Sequence, residues 1–136
     1  MQVNSLRPFQ LKALRLLETA EPVDTKFIQA PTGVGKDLLP FAMAVLTNKV
    51  QLVFVPFVAL ASNVEKDGKK YGCNVVRFSD IHKKISLETA AATAQVIVLS
   101  YEHCGKAVRL AQELMSRKTL GNLLYMFFQK YFIYCV

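Results

Sequence analysis

Lys26-Phe27-Ile28-Gln29-Ala30-Pro31-Thr32-Gly33-Val34-Gly35-Lys36-Asp37 is the stretch that decides the fold. Residues 26–30 read as a short buried strand. Residues 36–47 read as a helix with apolar Leu38, Leu39, Phe41, Ala42 and Val45. A small-residue loop between strand and helix is how a phosphate cradle is built. Gly33 and Gly35 let the backbone curl so that successive N–H groups face phosphate oxygens. The helix start adds partial positive charge, and Lys36 reaches the outer phosphates. The next position normally carries a Ser or Thr hydroxyl that ligates Mg²⁺, and here it is Asp37. Two unit negative charges about 5 Å apart repel by roughly 3 kcal/mol at an effective dielectric of about 20, about a hundredfold in affinity. A carboxylate is also a good Mg²⁺ ligand and favours a helix start, so Asp37 is compatible with folding and is itself a candidate metal ligand.

Composition narrows the possibilities around that loop. The chain has 136 residues, enough for one domain with a layered core, and a 52% hydrophobic content that excludes disorder. A net charge of +7 permits an anionic partner. The basic residues are scattered in small groups, Lys66 with Lys69 and Lys70, Lys83 with Lys84, and Arg117 with Lys118, for which solvated faces are the ordinary explanation. Cys73, Cys104 and Cys135 form no C-x-x-C pair, and His82 and His103 are isolated, so neither a zinc site nor a disulfide framework is indicated. The N-terminus lacks the pattern of a signal peptide. The apolar run from Leu123 to Val136 is 14 residues long and contains Gln129 and Lys130, too short and too polar for a membrane span.

Strand and helix patterns alternate along the chain. Ser5 can cap a first helix that tolerates Pro8 in its first turn and turns Leu11, Leu14, Leu16 and Leu17 to one face. Further strands are expected over 51–56, 74–78, 95–100 and 122–128, with helices from Ala59 toward Gly72 and over 104–118. The stretch 79–94 has no clear pattern. Continuous apolar strands interleaved with helices predict an α/β fold, a mainly parallel sheet with helices on both faces. Ligands then bind at the carboxyl ends of the strands, near Ala30, Pro56, Ser100 and Phe128.

In this order the motifs resemble those of the first RecA-like domain of superfamily-two helicases, RecQ-like and DEAD/DEAH-type, with fungal subtelomeric helicases as a possible subfamily. Leu6-Arg7-Pro8-Phe9-Gln10 is similar to the opening motif, whose glutamine reads adenine, which assigns Gln10. Ala30 to Lys36 matches motif I at every defining position, with Asp37 in place of the hydroxyl. Val55-Pro56-Phe57-Val58-Ala59-Leu60 resembles motif Ia, and Ser100-Tyr101-Glu102 resembles motif Ib with Tyr101 for proline. The resemblance implies a three-layer P-loop NTPase domain binding ATP with Mg²⁺ through Gln10 and residues 31–37. It also implies nucleic-acid contacts at Pro56, Phe57, Leu60, Ser100 and Glu102. DNA and a nuclear location follow from the RecQ-like comparison, and no membrane partner is implied.

The resemblance stops at the acidic box. In the family an apolar strand leads into Asp-Glu-x-His, which holds Mg²⁺ and positions the attacking water. Here Leu123 to Phe128 supplies the strand, Gln129 and Lys130 stand where the acids belong, and no Asp or Glu follows Glu113. Phosphoryl transfer needs metal and positioned water to stabilise the charge that spreads over the γ-phosphate, so no catalytic residue is assigned. The expected organisation is an incomplete ATP-binding domain over 1–128 and an aberrant apolar tail over 129–136. The tail is compatible with a helix, an interrupted reading frame or an edge strand, and its abrupt onset suggests a frameshift or truncation. The functional expectation is a helicase motor segment that binds ATP and nucleic acid without hydrolysis. The alternatives are a non-catalytic nucleic-acid-binding module and a relic of an inactivated helicase gene.

Overall fold

The computed structural model describes residues 6–18, 26–29, 36–116, 120–128 and 131–135. The elements are α1 (Pro8–Glu18), β1 (Lys26–Gln29), α2 (Leu39–Thr47), β2 (Val50–Val55), α3 (Val58–Tyr71), β3 (Val75–Arg77), α4 (Leu87–Thr93), β4 (Val96–Ser100), α5 (Cys104–Ser116), β5 (Leu120–Phe128) and β6 (Tyr131–Cys135). The strands form one six-stranded sheet in the order β1-β6-β5-β2-β4-β3.

β2 and β4 are buried at every residue, as continuous apolar runs in a sheet covered on both faces require. Their side chains alternate between two cores. Leu52 and Phe54 join Ile97, Leu99 and Val76 under Ala90 and Ala91 of α4 and Leu110 and Leu114 of α5. Val53 and Val55 join Val96 and Val98 under Phe41 and Ala44 of α2 and Ala61 of α3. Helices therefore cover both faces, which makes three layers. β2 pairs in parallel with β4 and β5, and β4 with β3, so the sheet is mainly parallel as expected.

The helix after the glycine-rich loop starts later than residue 36. Lys36–Leu38 make one 3₁₀ turn, and α2 proper opens at Leu39 with Pro40 in its first two positions. Pro40 has no N–H to give to the carbonyl of Lys36, so an α-helix running from 36 would lack a bond there. Val45 is 41% exposed rather than part of the apolar face. Six consecutive residues, Leu39–Ala44, are buried because α2 is sandwiched. Leu39, Ala42 and Met43 pack against Ala13 and Leu14 of α1, and Phe41 and Ala44 against the sheet. Ser5 lies outside the described residues, and the start of α1 is satisfied from inside by Gln10, as shown below.

α3 ends where Gly72 turns left-handed at φ +71°, a conformation glycine adopts without steric cost. The Cys73 N–H donates to the Gly68 carbonyl at 2.8 Å and closes the cap. The stretch 79–94, patternless in sequence, contains a 3₁₀ turn at Phe78–Asp80 and then α4. In the turn between them the amides of Lys83, Lys84 and Ile85 all donate to the Asp80 carbonyl, and His82 takes a positive φ. Ser86 caps α4 by accepting the Thr89 N–H at 3.1 Å.

Residues 131–135, expected as part of an apolar tail, form an interior strand. β6 runs antiparallel to both of its neighbours, β5 and β1. It enters the sheet between the strand that leads into the glycine-rich loop and the strand that leads into residues 129 and 130, which lie outside the described residues. Because β6 reverses twice, β1 is parallel in direction to β5, β2, β4 and β3, and all five carboxyl ends share one edge.

Candidate nucleotide and nucleic-acid edge

Register fixes which strand ends meet at this edge. Gln29, Tyr131 and Phe128 are aligned across β1, β6 and β5, so the end of β1 lies level with the end of β5, with β6 between them. Val55 aligns with Ser100, which puts the segment after β2 beside the segment after β4. Pro31, Thr32, Gly33, Val34 and Gly35 lie outside the described residues, as do Gln129 and Lys130. The Lys36 backbone opens the 3₁₀ turn that precedes α2.

Asp37 is exposed. Its charge reaches α3, where Asp67 is held above the usual carboxylate range, first by burial and then by repulsion from Asp37, with Lys70 opposing both. For Mg²⁺, Asp37 offers a single exposed carboxylate at a helix entrance. That suits an ion held mainly by phosphates and water. Among the described residues there is no group of three His, Cys, Asp or Glu side chains that could hold a metal ion.

Gln10, assigned to adenine by resemblance, is only 5% exposed. Its Oε1 accepts the Arg7 N–H at 2.8 Å, and the Arg7 carbonyl accepts the Leu11 N–H at 3.1 Å. Arg7 is thus the residue at which α1 begins, and Gln10 supplies the returning half of a capping box. The Arg-x-x-Gln spacing carried that signal. The structure gives Gln10 this capping bond, whatever else its amide reaches.

The residues matched to motif Ia divide. Phe57 is 68% exposed in an extended conformation at the start of α3, and Val58 is 53% exposed. Pro56 is half-buried, and Leu60 packs partly buried against the core beneath α2 and α3. Phe57 can therefore meet a ligand, whereas Leu60 supports the helix that presents it.

The residues matched to motif Ib form an internal network. Ser100 is 6% exposed, and its Oγ lies 3.1 Å from Glu102 Oε1 and 3.2 Å from His103 Nδ1. An ionised carboxylate can only accept, so the single hydroxyl proton goes to Glu102 and the Oγ accepts from a proton on Nδ1. The His103 ring also packs against Phe78 at 5.3 Å between centroids. Ser100 is accordingly committed to ordering this corner, and exposed Glu102 places negative charge there.

Neither His103 nor the adjoining clamp was singled out from the sequence. Arg77 at the end of β3 makes a two-pronged ion pair with Glu65, at 2.6 and 3.0 Å, and donates to Ser62 Oγ at 2.7 Å. The hydrogen bond and charge of Glu65, helped by the charge of Asp80, hold the Arg77 pKa above its ordinary value against a desolvation that lowers it. The clamp ties α3 to the strand end beside His103. The only sequence signal was a charged residue closing an apolar strand. A hollow of about 90 Å³ lies between Val58, Arg77, Phe78, Ser100 and His103. No helix among the described residues is long and apolar enough to cross a membrane.

No protein-family model matches the chain. No curated protein matches it either. Among solved structures it is similar to a hypothetical ATP-dependent RNA helicase from Sulfolobus tokodaii, at a TM-score of 0.50 and 19% sequence identity. The match covers 88% of this chain and 36% of that one, so the chain spans little more than a third of the helicase. At this identity the likeness is one of architecture. The chain shares a three-layer α/β fold with the matched part of that protein.

Proposed function

We propose that the chain is the amino-terminal motor-domain segment of an ATP-dependent helicase, binding ATP with Mg²⁺ and nucleic acid but not hydrolysing ATP or unwinding by itself. The observation that carries this reading is the common edge. β1, β2 and β4 point the same way, so the glycine-rich loop, the Phe57 segment and the Ser100 segment all leave the sheet on one side. Residues 31–37 are the nucleotide contacts in this reading, and Pro56, Phe57 and the Ser100–Glu102 corner face nucleic acid. The RecQ-like motif order favours DNA and the nucleus. The solved helicase of similar fold is described as RNA-directed, so both polymers belong in the test.

Loss of turnover follows from Gln129 and Lys130 in the acidic positions and Asp37 in the hydroxyl position. Phosphoryl transfer without metal-anchoring and water-positioning groups lacks its main source of transition-state stabilisation. A non-catalytic nucleic-acid-binding module is the second reading, favoured by that same loss. Mg²⁺-ATP titration of the chain and of Asp37→Thr tests the nucleotide site, and the substitution is expected to tighten binding by about the hundredfold worked above. Unchanged affinity would refute the account of Asp37. Steady ATP turnover stimulated by DNA or RNA would refute the claim of inactivity.

A further inference from the structure

A second, larger concavity adjoins the edge. It lies between the 81–85 turn with the start of α4 on one side and α5 on the other, with a volume of about 840 Å³. We infer that this groove is a track for the phosphate backbone of a single-stranded nucleic acid, anchored by Lys83, Lys106 and Arg109. The inference rests on the nucleic-acid reading above and assigns residues outside the motif-like segments.

Three observations converge. First, the groove is lined by Lys83 from the turn and by Lys106 and Arg109 from α5. Three residues apart, Lys106 and Arg109 share one helix face. Second, these cations are available. Among the described residues Lys83, Lys106 and Arg109 have no ion-pair partner, whereas neighbouring Lys84 pairs with Asp80 and Arg77 with Glu65. Glu88 and Glu113 also line the groove, and neither is without a partner. Third, the groove is continuous with the edge. Phe78, Ser79 and His103 line both it and the small hollow beside Val58 and Ser100.

The lining chemistry selects the ligand. Phe78, Ile81, Leu87 and Leu110 give an apolar floor beneath the basic rim, suited to sugar and base surface below and phosphate above. An isolated anion would need only the rim. A polymer entering from the Phe57 edge uses the rim, the floor and the open end. Phe57, exposed at that entrance, is placed to stack on a base. The turn that carries Lys83 is ordered by three amides donating to one carbonyl, that of Asp80.

The test compares the full chain with the triple variant Lys83→Gln/Lys106→Gln/Arg109→Gln and with Lys66→Gln/Lys69→Gln/Lys70→Gln, which removes equal charge from the exposed face of α3. Binding of labelled oligo-dT and oligo-U is followed by anisotropy between 0.05 and 0.5 M KCl, about a tenfold range over which single-strand affinity falls with a log–log slope of about −0.7 per phosphate contact. Three contacts predict that the groove variant loses about 2 from the slope and about a hundredfold in affinity at about 0.1 M salt. The α3 variant is expected to keep the parent slope. All three proteins should show the same thermal midpoint, and a collapsed groove variant is replaced by the three single substitutions, each expected to lose about 0.7 of slope. If the parent binds neither oligonucleotide at low salt, the nucleic-acid reading itself fails. If it binds and the two triple variants behave alike, the groove inference is overturned and the reading survives. A poly-glutamate peptide that binds as tightly as the oligonucleotides, with the same dependence on the three cations, overturns the assignment to nucleic acid.

Discussion

Gly68→Ala sets two effects of known size against each other. Gly68 is a buried residue inside α3, and an alanine in a helix interior is normally more stable than glycine by about 1 kcal/mol. Here a Cβ would fall well inside the van der Waals contact distance of Val75 Cγ2 and 3.2 Å from the Cys73 carbonyl oxygen. Val75 is β-branched and sits in β3, where its rotamers are few. The helix cannot back away either, because the Gly68 carbonyl is bonded to the Cys73 N–H at 2.8 Å in the cap. Forcing a methyl into a packed site of this kind costs about 1–3 kcal/mol. The clash therefore cancels or outweighs the propensity gain, for a net loss of about 0–2 kcal/mol in urea unfolding, or up to about 6 °C in Tm. Removing the obstacle should reverse the sign. In a Val75→Ala background the same Gly68→Ala change is expected to stabilise by about 0.5–1 kcal/mol. Gly105, near the start of α5 with nothing within 4 Å of its would-be Cβ, is the control at which alanine should never destabilise. A higher Tm for Gly68→Ala alone would refute the claim that α3 lies against β3 at glycine distance.

Gln51 is fully buried with its Nε2 bonded to the Lys49 carbonyl at 3.1 Å, but its Oε1 has no partner among the described residues. Gln51→Met should therefore be neutral or stabilising by about 1 kcal/mol in chemical denaturation, and a loss above about 2 kcal/mol would show that the amide is satisfied. Asp67 has a folded pKa above its unfolded value of about 3.8, so its ionised form is disfavoured by folding. That penalty is absent below the unfolded pKa and complete once pH has risen through the folded pKa. Asp67→Asn is thus expected to stabilise at pH 7 and to do nothing at pH 3, and equal effects at both values would contradict the account. Ending the chain after Phe128 removes β6, through which β1 is joined to the sheet, and should lower Tm or send the protein into aggregates. Unchanged Tm and far-ultraviolet dichroism in that variant would show β6 to be dispensable.

The parts of the fold legible in the sequence were those fixed by burial on two faces. The runs 51–56 and 95–100 read as strands buried on both faces, and the strands form within one residue of those bounds, at Val50–Val55 and Val96–Ser100. α2 was displaced by Pro40, whose missing N–H delays the α-helix by three residues after a 3₁₀ turn. The 79–94 stretch was opaque because its order comes from a carbonyl that collects three amides and from a seven-residue helix, neither of which has a periodic signature. Its one local signal was Ser86 as a cap. At the candidate site, Phe57 and Ser100 were expected from the resemblance alone, which does not tell an exposed side chain from a buried one. Burial is what separates exposed Phe57 from supporting Leu60, and what turns Ser100 inward to Glu102 and His103. Gln10 matched a motif by position while its side chain also serves the helix end it sits in.

The strand β6 changes what the missing acids mean. Inserting a parallel strand between β5 and β1 would demand a crossover of a dozen or more residues, usually with its own helix. An antiparallel strand needs only a tight connection, and residues 129 and 130 are all that separates Phe128 from Tyr131. Gln129-Lys130 is not one of the glycine-containing pairs that signal a two-residue hairpin, so the sequence read there as the start of a tail. The consequence is geometric. In a catalytic motor the chain leaving β5 must carry carboxylates along the edge toward the nucleotide. Here the next described strand, β6, pairs antiparallel with β5 and completes the sheet that holds β1. Supplying β1 with a hydrogen-bonded neighbour and supplying carboxylates at the edge are competing uses of the same few residues. The edge on which a ligand would rest depends on β1, β2 and β4, of which β2 and β4 stand on the two hydrophobic cores and β1 stands on β6. In the proposed reading, binding and turnover would draw on different strands of this sheet, and only turnover would need carboxylates at the end of β5.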